Sequence, residues 1–224
     1  MVLRGGSSKG LYFVRDDLPT DDGARDDLLL RIMGSPDERQ IDGLGGAHPL
    51  TSKVAVVGQS ARPAIDVAYQ VLQIGVAEPL VSDRQNCGNL LAGVGPFAIE
   101  RGLVDVGTEA TEVRVRIHMV NTATIAVAAV PVADGAPAYD GNTAISGVPG
   151  TAAAIQLEFD DLAGGSTGAL LPTGRAFDTI DGVACSLIDN GMTVVVMRAD
   201  ALGVDCHESC ADLESNTRLR TRLE

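Results

Sequence analysis

Two neighbouring apolar runs with different spacing constrain the fold most. Residues Val54 to Val57 are apolar without interruption, which is typical of a strand covered on both faces. Shortly after them, Ile65, Val67, Tyr69 and Val71 alternate with a period of two. We therefore predict two successive strands of one sheet, the first of them fully buried.

Helical segments are expected on both sides of these strands. Residues 26–33 place their apolar side chains on one helical face, and Gly34 ends that segment. Residues 90–100 are apolar on nearly every side, as expected of a helix enclosed by other elements. We predict a short amphipathic helix in the first segment and a core helix in the second.

A hairpin and a looser linker follow the core helix. Val113 to Met119 and Ile125 to Ala129 alternate with a period of two, ending at Pro131. The stretch after the hairpin is rich in Gly, Pro, Ala and Asn, which indicates a boundary. We predict a first domain over residues 1–140 and a second, β-rich domain over residues 141–224.

Charge and composition limit the partners. The chain carries 17 Lys and Arg against 30 Asp and Glu, a net charge of −13 that disfavours binding to nucleic acid or to an anionic membrane surface. No apolar run approaches the roughly 20 residues needed to cross a bilayer, and the first residues lack a signal peptide's apolar segment. We expect a cytoplasmic protein whose partner is a small molecule or a protein.

The four cysteines show no spacing that suggests a disulfide framework, so free thiols are expected. The segment from Cys206 to Cys210 contains metal-ligand residue types but lacks the second ligand pair of a structural zinc site. We predict no metal site there.

The segment from Arg4 to Gly10 is the first candidate for a binding site. Its glycines allow backbone N–H groups to converge, while Ser7, Ser8 and Lys9 suit a carboxylate or a phosphate. A flexible N-terminal turn is the alternative, because the spaced glycines of a P-loop are absent.

Ser52 and Lys53 stand at the start of the buried strand. Desolvation disfavours an ammonium group there, and a lysine whose pKa is lowered exchanges protons near neutral pH. The alternative is a lysine that extends to solvent from a strand end. Arg62, beyond that strand, has the geometry to bind a carboxylate with two hydrogen bonds, although a surface turn explains it almost as well.

Asn86-Cys87-Gly88-Asn89 precedes the predicted core helix. Unpaired N–H groups at a helix start stabilise a thiolate and attract an anionic group of a substrate. The alternative is a small cysteine that fills space in the core, but flanking asparagines and a glycine are poor core residues.

These segments, read together, resemble the PrpF family of isomerases. Within the family, residues 28–37, 99–104 and 188–192 are similar to the 4-oxalomesaconate tautomerases. The similarity spans almost the whole chain and is carried by Arg4–Gly10, Gly45-Gly46 with Thr51–Ala55, Asn86–Asn89 with Val94–Ile99, Asp140-Gly141, Gly147–Ala152 and Leu171–Gly174.

The resemblance implies a diaminopimelate-epimerase-like fold of the α/β (α+β) class. Such a fold has two similar domains, each a curved mixed sheet around a central helix, with the site in the cleft between them. Members of the family are usually longer, so we expect the second domain to be incomplete here. Neither a cofactor nor a metal is implied, and a homodimer is left open.

The resemblance also implies an isomerase that moves an allylic proton in an unsaturated di- or tricarboxylic acid, in the degradation of aromatic compounds. Keto-enol tautomerisation of 4-oxalomesaconate is expected first, with cis-trans isomerisation of 2-methylaconitate or an inactive truncated member as alternatives. Lys53 and Cys87 match the proposed acid and base, in an order left open. The residues expected to bind the substrate are Ser7, Ser8, Lys9, Ser52, Arg62, Asn86, Gly88 and Asn89.

Overall fold

Strand pairing divides the chain into two units. The computed structural model describes residues 1–84, 86–160 and 162–223. Unit 1 comprises Met1–Asp160 and unit 2 comprises Asp161–Glu224.

In the described residues of unit 1 there are nine strands, three α-helices and two single 3-10 turns, at Arg15–Asp17 and Pro49–Thr51. In chain order, the strands and helices are β1 (Val2–Gly5), β2 (Ser8–Val14), α1 (Asp22–Met33), β3 (Lys53–Gln59), β4 (Val67–Ile74), β5 (Val81–Ser82), α2 (Gly88–Leu91), α3 (Val94–Glu100), β6 (Glu112–Met119), β7 (Thr124–Ala133), β8 (Ala136–Pro137) and β9 (Gln156–Phe159).

The nine strands form one mixed sheet in the order β1-β2-β3-β4-β6-β7-β8, with β5 on β4 and β9 on β7. The pairs β2–β3 and β4–β6 are parallel and the others are antiparallel. The two strands predicted from the apolar runs are β3 and β4, and the predicted hairpin is β6–β7; all are confirmed.

Both faces of this sheet are covered, as the uninterrupted apolar run in β3 requires. Ala55 and Val57 belong to a core cluster with Leu90 and Phe97 of α2 and α3. Val54 and Val56, which point to the opposite face, pack in a second cluster with residues of α1. We call the first of these surfaces the α2–α3 face of the sheet.

The division between the units follows β9, whereas the sequence places the boundary at residue 140. The cause is pairing over a long sequence distance: Gln156 to Phe159 align with Ala129 to Ala126 of β7. The stretch rich in Gly and Pro is therefore a connection within unit 1.

Helix α1 begins four residues earlier than the sequence predicts. The Asp21 side chain accepts a hydrogen bond from the Ala24 N–H (2.9 Å), which caps the helix, and Gly34 ends it at φ 78°. Leu29 and Met33 are its fully buried residues. The cap at Asp21 thus adds a polar first turn to the helix, and the spacing of the apolar residues does not predict that turn.

The predicted core helix is interrupted, and this is a correction. Helix α2 stops at Leu91 and α3 begins at Val94, because Pro96 lacks the N–H that would bond to the carbonyl of Ala92. Gly93 at the break lies under Tyr12: a Cβ there would be 2.4 Å from the tyrosine hydroxyl oxygen.

Unit 2 is a small α+β unit with an antiparallel sheet in the order β10 (Asp178–Ile180), β11 (Val183–Asp189) and β12 (Thr193–Met197). Its helices are α4 (Ala199–Leu202), α5 (Cys210–Ser215) and α6 (Thr217–Leu223). Across the described residues of both units, no helix has the length and apolar character to span a bilayer.

Asp189, the last residue of β11, stabilises the turn that contains Ser166 and Thr167. Its Oδ2 accepts hydrogen bonds from the Ser166 N–H (2.8 Å), the Thr167 N–H (2.7 Å) and the Thr167 hydroxyl (2.9 Å), and the residue is fully buried. Burial raises the pKa of this carboxyl, but the donors from Ser166 and Thr167 prevail, so its pKa is lowered.

A carboxyl with a lowered pKa in the folded state stabilises that state above its unfolded pKa of about 3.9, and the stabilisation is lost as the pH falls below it. We expect the Ser166 and Thr167 amides to lose protection from hydrogen exchange as the pH falls below about 4. In Asp189→Asn, protection after correction for intrinsic exchange should be lower at pH 7 and independent of pH. The same pH dependence in the variant would contradict this role.

Candidate active site

Lys53 begins β3 on the α2–α3 face of the sheet. It shares the alternation of Ala55 and Val57, which point to that face. The parallel neighbour of Lys53 is Gly10 on β2, and its antiparallel neighbour is Gln73 on β4. The lysine is only 8% exposed, so its amine lies in a largely desolvated position.

Cys87 caps the first turn of α2. Its Sγ accepts a hydrogen bond from the Leu90 N–H (3.4 Å), and its own N–H donates to the Asn86 Oδ1 (2.9 Å). Because α2 has only four residues, the dipole of a long helix does not act on the sulfur. The local N–H of Leu90 is the group that holds the sulfur at the start of α2.

Ser8 connects the cysteine to the lysine strand. The Cys87 thiol donates a hydrogen bond to the Ser8 Oγ (3.7 Å), and Ser8 is buried. Ser8 precedes Gly10, the neighbour of Lys53, by two positions on the same face, so the Ser8 and Lys53 backbones are about 8 Å apart. The register thus brings Lys53, Ser8 and Cys87 to one face and one end of the sheet.

The β1–β2 turn packs directly on the cysteine turn. A Cβ on Gly5 would lie 2.0 Å from the Asn89 carbonyl oxygen, and a Cβ on Gly6, whose φ is 52°, would lie 2.3 Å from the Asn89 Oδ1. The Asn89 Nδ2 donates to the Ser7 Oγ (3.1 Å). The glycines therefore permit the close approach of two turns that are distant in the sequence.

Adding a methyl group at Gly5 tests this approach. We expect Gly5→Ala to lower the free energy of unfolding by about 1–3 kcal/mol, because the new Cβ overlaps backbone atoms of Asn89. Urea unfolding measures the loss. Gly107→Ala is the matched control, since no atom lies within 4 Å of its Cβ position and its φ is not positive. Equal effects of the two substitutions would contradict the packing argument.

Two buried tyrosines of the sheet donate hydrogen bonds to backbone carbonyls at the start of α2. The Tyr12 hydroxyl donates to the Leu90 carbonyl, and the Tyr69 hydroxyl donates to the Cys87 carbonyl (3.3 Å). Burial first, and the neighbouring Cys87 second, raise the pKa of both phenols well above 10. Both hydroxyls consequently keep their protons and remain donors at neutral pH.

Asn86 and Gly88 flank the cysteine as the sequence predicts. The Asn86 Nδ2 points to the Met119 sulfur at 4.0 Å, and Gly88 is exposed, with the Phe159 ring 3.8 Å from its Cβ position. Ser8 contacts the Cys87 sulfur, and Asn89, two residues after the cysteine, contacts Ser7. Their role in binding a substrate stays a prediction.

Ser52 is not available to a substrate, which corrects the prediction. It points to the opposite face from Lys53, is completely buried, and its hydroxyl donates to the Gln40 Oε1 (2.7 Å). Gln40 also accepts from the Ala47 N–H (2.8 Å). Ser52 therefore anchors the loop before β3.

Lys9 and Arg62 also lie apart from the group around Cys87. Lys9 alternates with Ser8, and its Nζ lies 3.3 Å from the Cβ position of Gly46. Arg62 follows the other end of β3, about 20 Å from Lys53 along the strand. There it contributes, after burial and together with Arg15, to a lowered pKa of His118. Arg62 therefore lies beyond the other end of β3 from Lys53, and its role in binding a substrate stays a prediction.

Gln73 is the contact that the sequence reasoning missed. Its Oε1 accepts a hydrogen bond from the Lys53 Nζ (2.5 Å). A signal was present: Gln73 continues the alternation of Val67, Tyr69 and Val71 as a polar residue on the same face. A polar residue in phase with buried ones marks a group that needs a partner.

The described part of the chain contains no group of three or more His, Cys, Asp or Glu side chains placed to hold a metal ion. Cys87, Cys185, Cys206 and Cys210 are all free thiols.

Comparison with known proteins bears on the whole chain. The model of the PrpF family, described as PrpF protein, matches residues 1–224. The (4E)-oxalomesaconate Delta-isomerase of Novosphingobium sp. strain KA1 is 56% identical over 224 residues, and the 4-oxalomesaconate tautomerase of Pseudomonas putida is 55% identical over 224 residues. Each alignment covers 100% of this chain and 62% of the relative, so the chain spans less than two thirds of their length.

More distant relatives extend the comparison. The 2-methyl-aconitate isomerase of Cupriavidus necator is 38% identical over 238 residues, covering 99% of this chain and 60% of that protein. A crystal structure of a methylitaconate-delta-isomerase superposes with a TM-score of 0.78 at 40% identity, covering 98% of this chain and 57% of that one.

A probable proline racemase from Agrobacterium radiobacter K84 superposes with a TM-score of 0.52 at 13% identity, covering 99% of this chain and 59% of that one. This similarity concerns the fold alone. The predicted diaminopimelate-epimerase-like α+β fold is confirmed.

Proposed function

Because the chain belongs to the PrpF family, we propose that it carries the proton-transfer groups of an isomerase acting on 4-oxalomesaconate by keto-enol tautomerisation. The observation that carries this proposal is the register that brings Lys53 and Cys87 to one face and one end of the sheet. The names of the two relatives at 55–56% identity indicate the substrate.

The proposed reaction is a movement of one proton. A base removes a proton from a carbon that an adjacent carbonyl group acidifies, and the electron pair is delocalised as an enolate. An acid then returns a proton to another atom of the conjugated system, so that no atom is gained or lost. The Lys53 amine and the Cys87 thiol are the two proton carriers in this scheme.

Local donors supply what a negatively charged intermediate requires. Around Cys87, the Ser8 hydroxyl and the amide groups of Asn86 and Asn89 are polar groups able to donate to carboxylate or enolate oxygens. The net charge of −13 acts over long range, whereas these donors act inside the site, so an acidic protein and an anionic substrate are compatible.

The direct test follows the ultraviolet absorbance of 4-oxalomesaconate, since its keto and enol forms differ in conjugation. We expect the purified chain to accelerate the interconversion, with the Pseudomonas putida tautomerase as the positive control. A folded sample that gives only the spontaneous rate would reject the proposal. Melting temperature with and without the acid would then show whether the chain still binds it.

The second candidate is isomerisation of 2-methylaconitate, favoured by the relative at 38% identity. The same two proton carriers suit both reactions. Comparing kcat/KM on the two acids, measured on one preparation, separates them: the proposal requires a higher value for 4-oxalomesaconate.

The setting of this reaction is part of the same proposal. We place it in the cytoplasmic degradation of aromatic compounds, with a small unsaturated polycarboxylic acid as partner and without binding to nucleic acid or membrane. The acidic net charge supports the exclusion of polyanions. Light scattering of the purified chain tests the homodimer, and cell fractionation tests the location.

A further inference from the structure

The Gln73 side chain is held in one orientation by its surroundings. Its Nε2 lies within hydrogen-bond distance of the carbonyl oxygens of Ser52 (3.0 Å), Pro49 (3.1 Å) and Ile74 (3.3 Å). A carbonyl oxygen only accepts hydrogen bonds, so the amide nitrogen must face this group. The Oε1 is thereby directed to the other side, where the Lys53 Nζ lies.

Among the residues that the structure describes, the Lys53 amine has no ionic partner that would compete with this contact. In residues 1–84, 86–160 and 162–223, no carboxylate oxygen lies within 4.0 Å of the Lys53 Nζ. Other titratable groups on the elements around the start of β3 are Lys9 on β2, His48 before the 3-10 turn, Cys87 before α2, Tyr12 and Tyr69 on the same face, and Asp83 after β5.

We propose that Gln73 is a positioning residue, which holds the Lys53 amine through its Oε1 in both protonation states. This inference rests on the proposed function of Lys53. A neutral amine that donates one hydrogen to the Oε1 keeps one lone pair, which cannot point at Gln73. When that lone pair accepts a proton from a substrate carbon, the resulting ammonium still donates to the same oxygen.

The neutral character of Gln73 matters as much as its position. A carboxylate at the same place would favour the ammonium form by about 1–3 pH units and would hinder the release of its proton. An amide oxygen orients the amine without that bias. Gln73 thus offers an acceptor in a fixed position, and it favours the ammonium form over the neutral amine less than a carboxylate would.

The chain is suited to a direct test, because Lys9 and Lys53 are its only lysines. Labelling with [13Cε]lysine gives two side-chain signals, which Lys9→Arg assigns. In Gln73→Glu, we expect the titration midpoint of the Lys53 signal to rise by at least one pH unit. In Gln73→Met, which has similar length but no oxygen, we expect the midpoint to fall.

Gln70→Glu is the matched control. Gln70 lies on the same strand but pairs with Val56 and points to the other face, so the same added charge should move the Lys53 midpoint by less than half as much. Equal shifts in Gln70→Glu and Gln73→Glu, or an unchanged midpoint in a folded Gln73→Glu, would overturn the proposal.

The wild-type chain gives an independent readout if the variants do not fold. The side-chain amide signals of Gln73 should change with pH at the midpoint of Lys53, and their independence of that titration would also overturn the proposal. Neither measurement needs turnover. A coupled titration without activity therefore rejects the proposed function alone, whereas activity with uncoupled titrations rejects the role of Gln73 alone.

Discussion

Lys53→Met is expected to lower kcat for 4-oxalomesaconate by about 10²–10⁴-fold while changing KM only a few-fold. Methionine keeps the length and most of the apolar volume of the lysine side chain but has no group that carries a proton. Because Lys53 is only 8% exposed, an apolar replacement should preserve the fold. Steady-state rates from ultraviolet absorbance, with circular dichroism of the same samples, measure the effect.

Two further variants make the result for Lys53 specific. Lys53→Ala should respond to added small amines, which can enter the space of the missing side chain and restore part of the rate. Arg116→Met removes a cation from an exposed position of β6 and should leave kcat within about two-fold. A Lys53→Met protein with the wild-type rate would remove this lysine from the mechanism.

Cys87→Ser is expected to lower kcat by about 10²–10³-fold and to retain binding of the substrate. The serine hydroxyl can still accept from the Leu90 N–H, so the turn should persist, but it is far less acidic than a thiol and does not release a proton at neutral pH. Rates give the loss of turnover, and the rise in melting temperature with substrate reports binding.

Alkylation provides the complementary measurement for Cys87. Iodoacetamide should inactivate the protein, and substrate should protect it. The exposed thiols Cys206 and Cys210 serve as the control, because replacing both by serine should leave inactivation unchanged. Full activity in a sample whose Cys87 is completely modified would exclude the thiol from proton transfer.

The strands were predictable because their patterns are local. The apolar run of β3 and the alternation of β4, β6 and β7 are visible in adjacent residues. The packing of Tyr12 over Gly93, at the break between α2 and α3, and the pairing of β9 with β7, which extends unit 1, are different. Those contacts join residues far apart in the sequence, so no local pattern announces them.

The site divides in the same way. The motifs around Lys53 and Cys87 stand out as polar residues beside apolar runs, and the fold brings them to one end of the sheet. The burial of Ser52 away from the site was not predictable from the sequence. It depends on a hydrogen bond from the Ser52 hydroxyl to the Gln40 side chain, twelve residues away. Arg62 lies far from Lys53 because β3 extends to Gln59, and the spacing of the two residues in the sequence does not show where the strand ends.

The contact of Gly5 and Gly6 with Asn89 has a consequence for recombining members of this family. The two turns fit as one surface, with backbone against backbone, so neither can be exchanged without the other. A chimera that receives only the cysteine segment from a homologue inherits a mismatch wherever the donor's glycine turn differs. Grafting both segments as a pair should preserve the fit between the two turns.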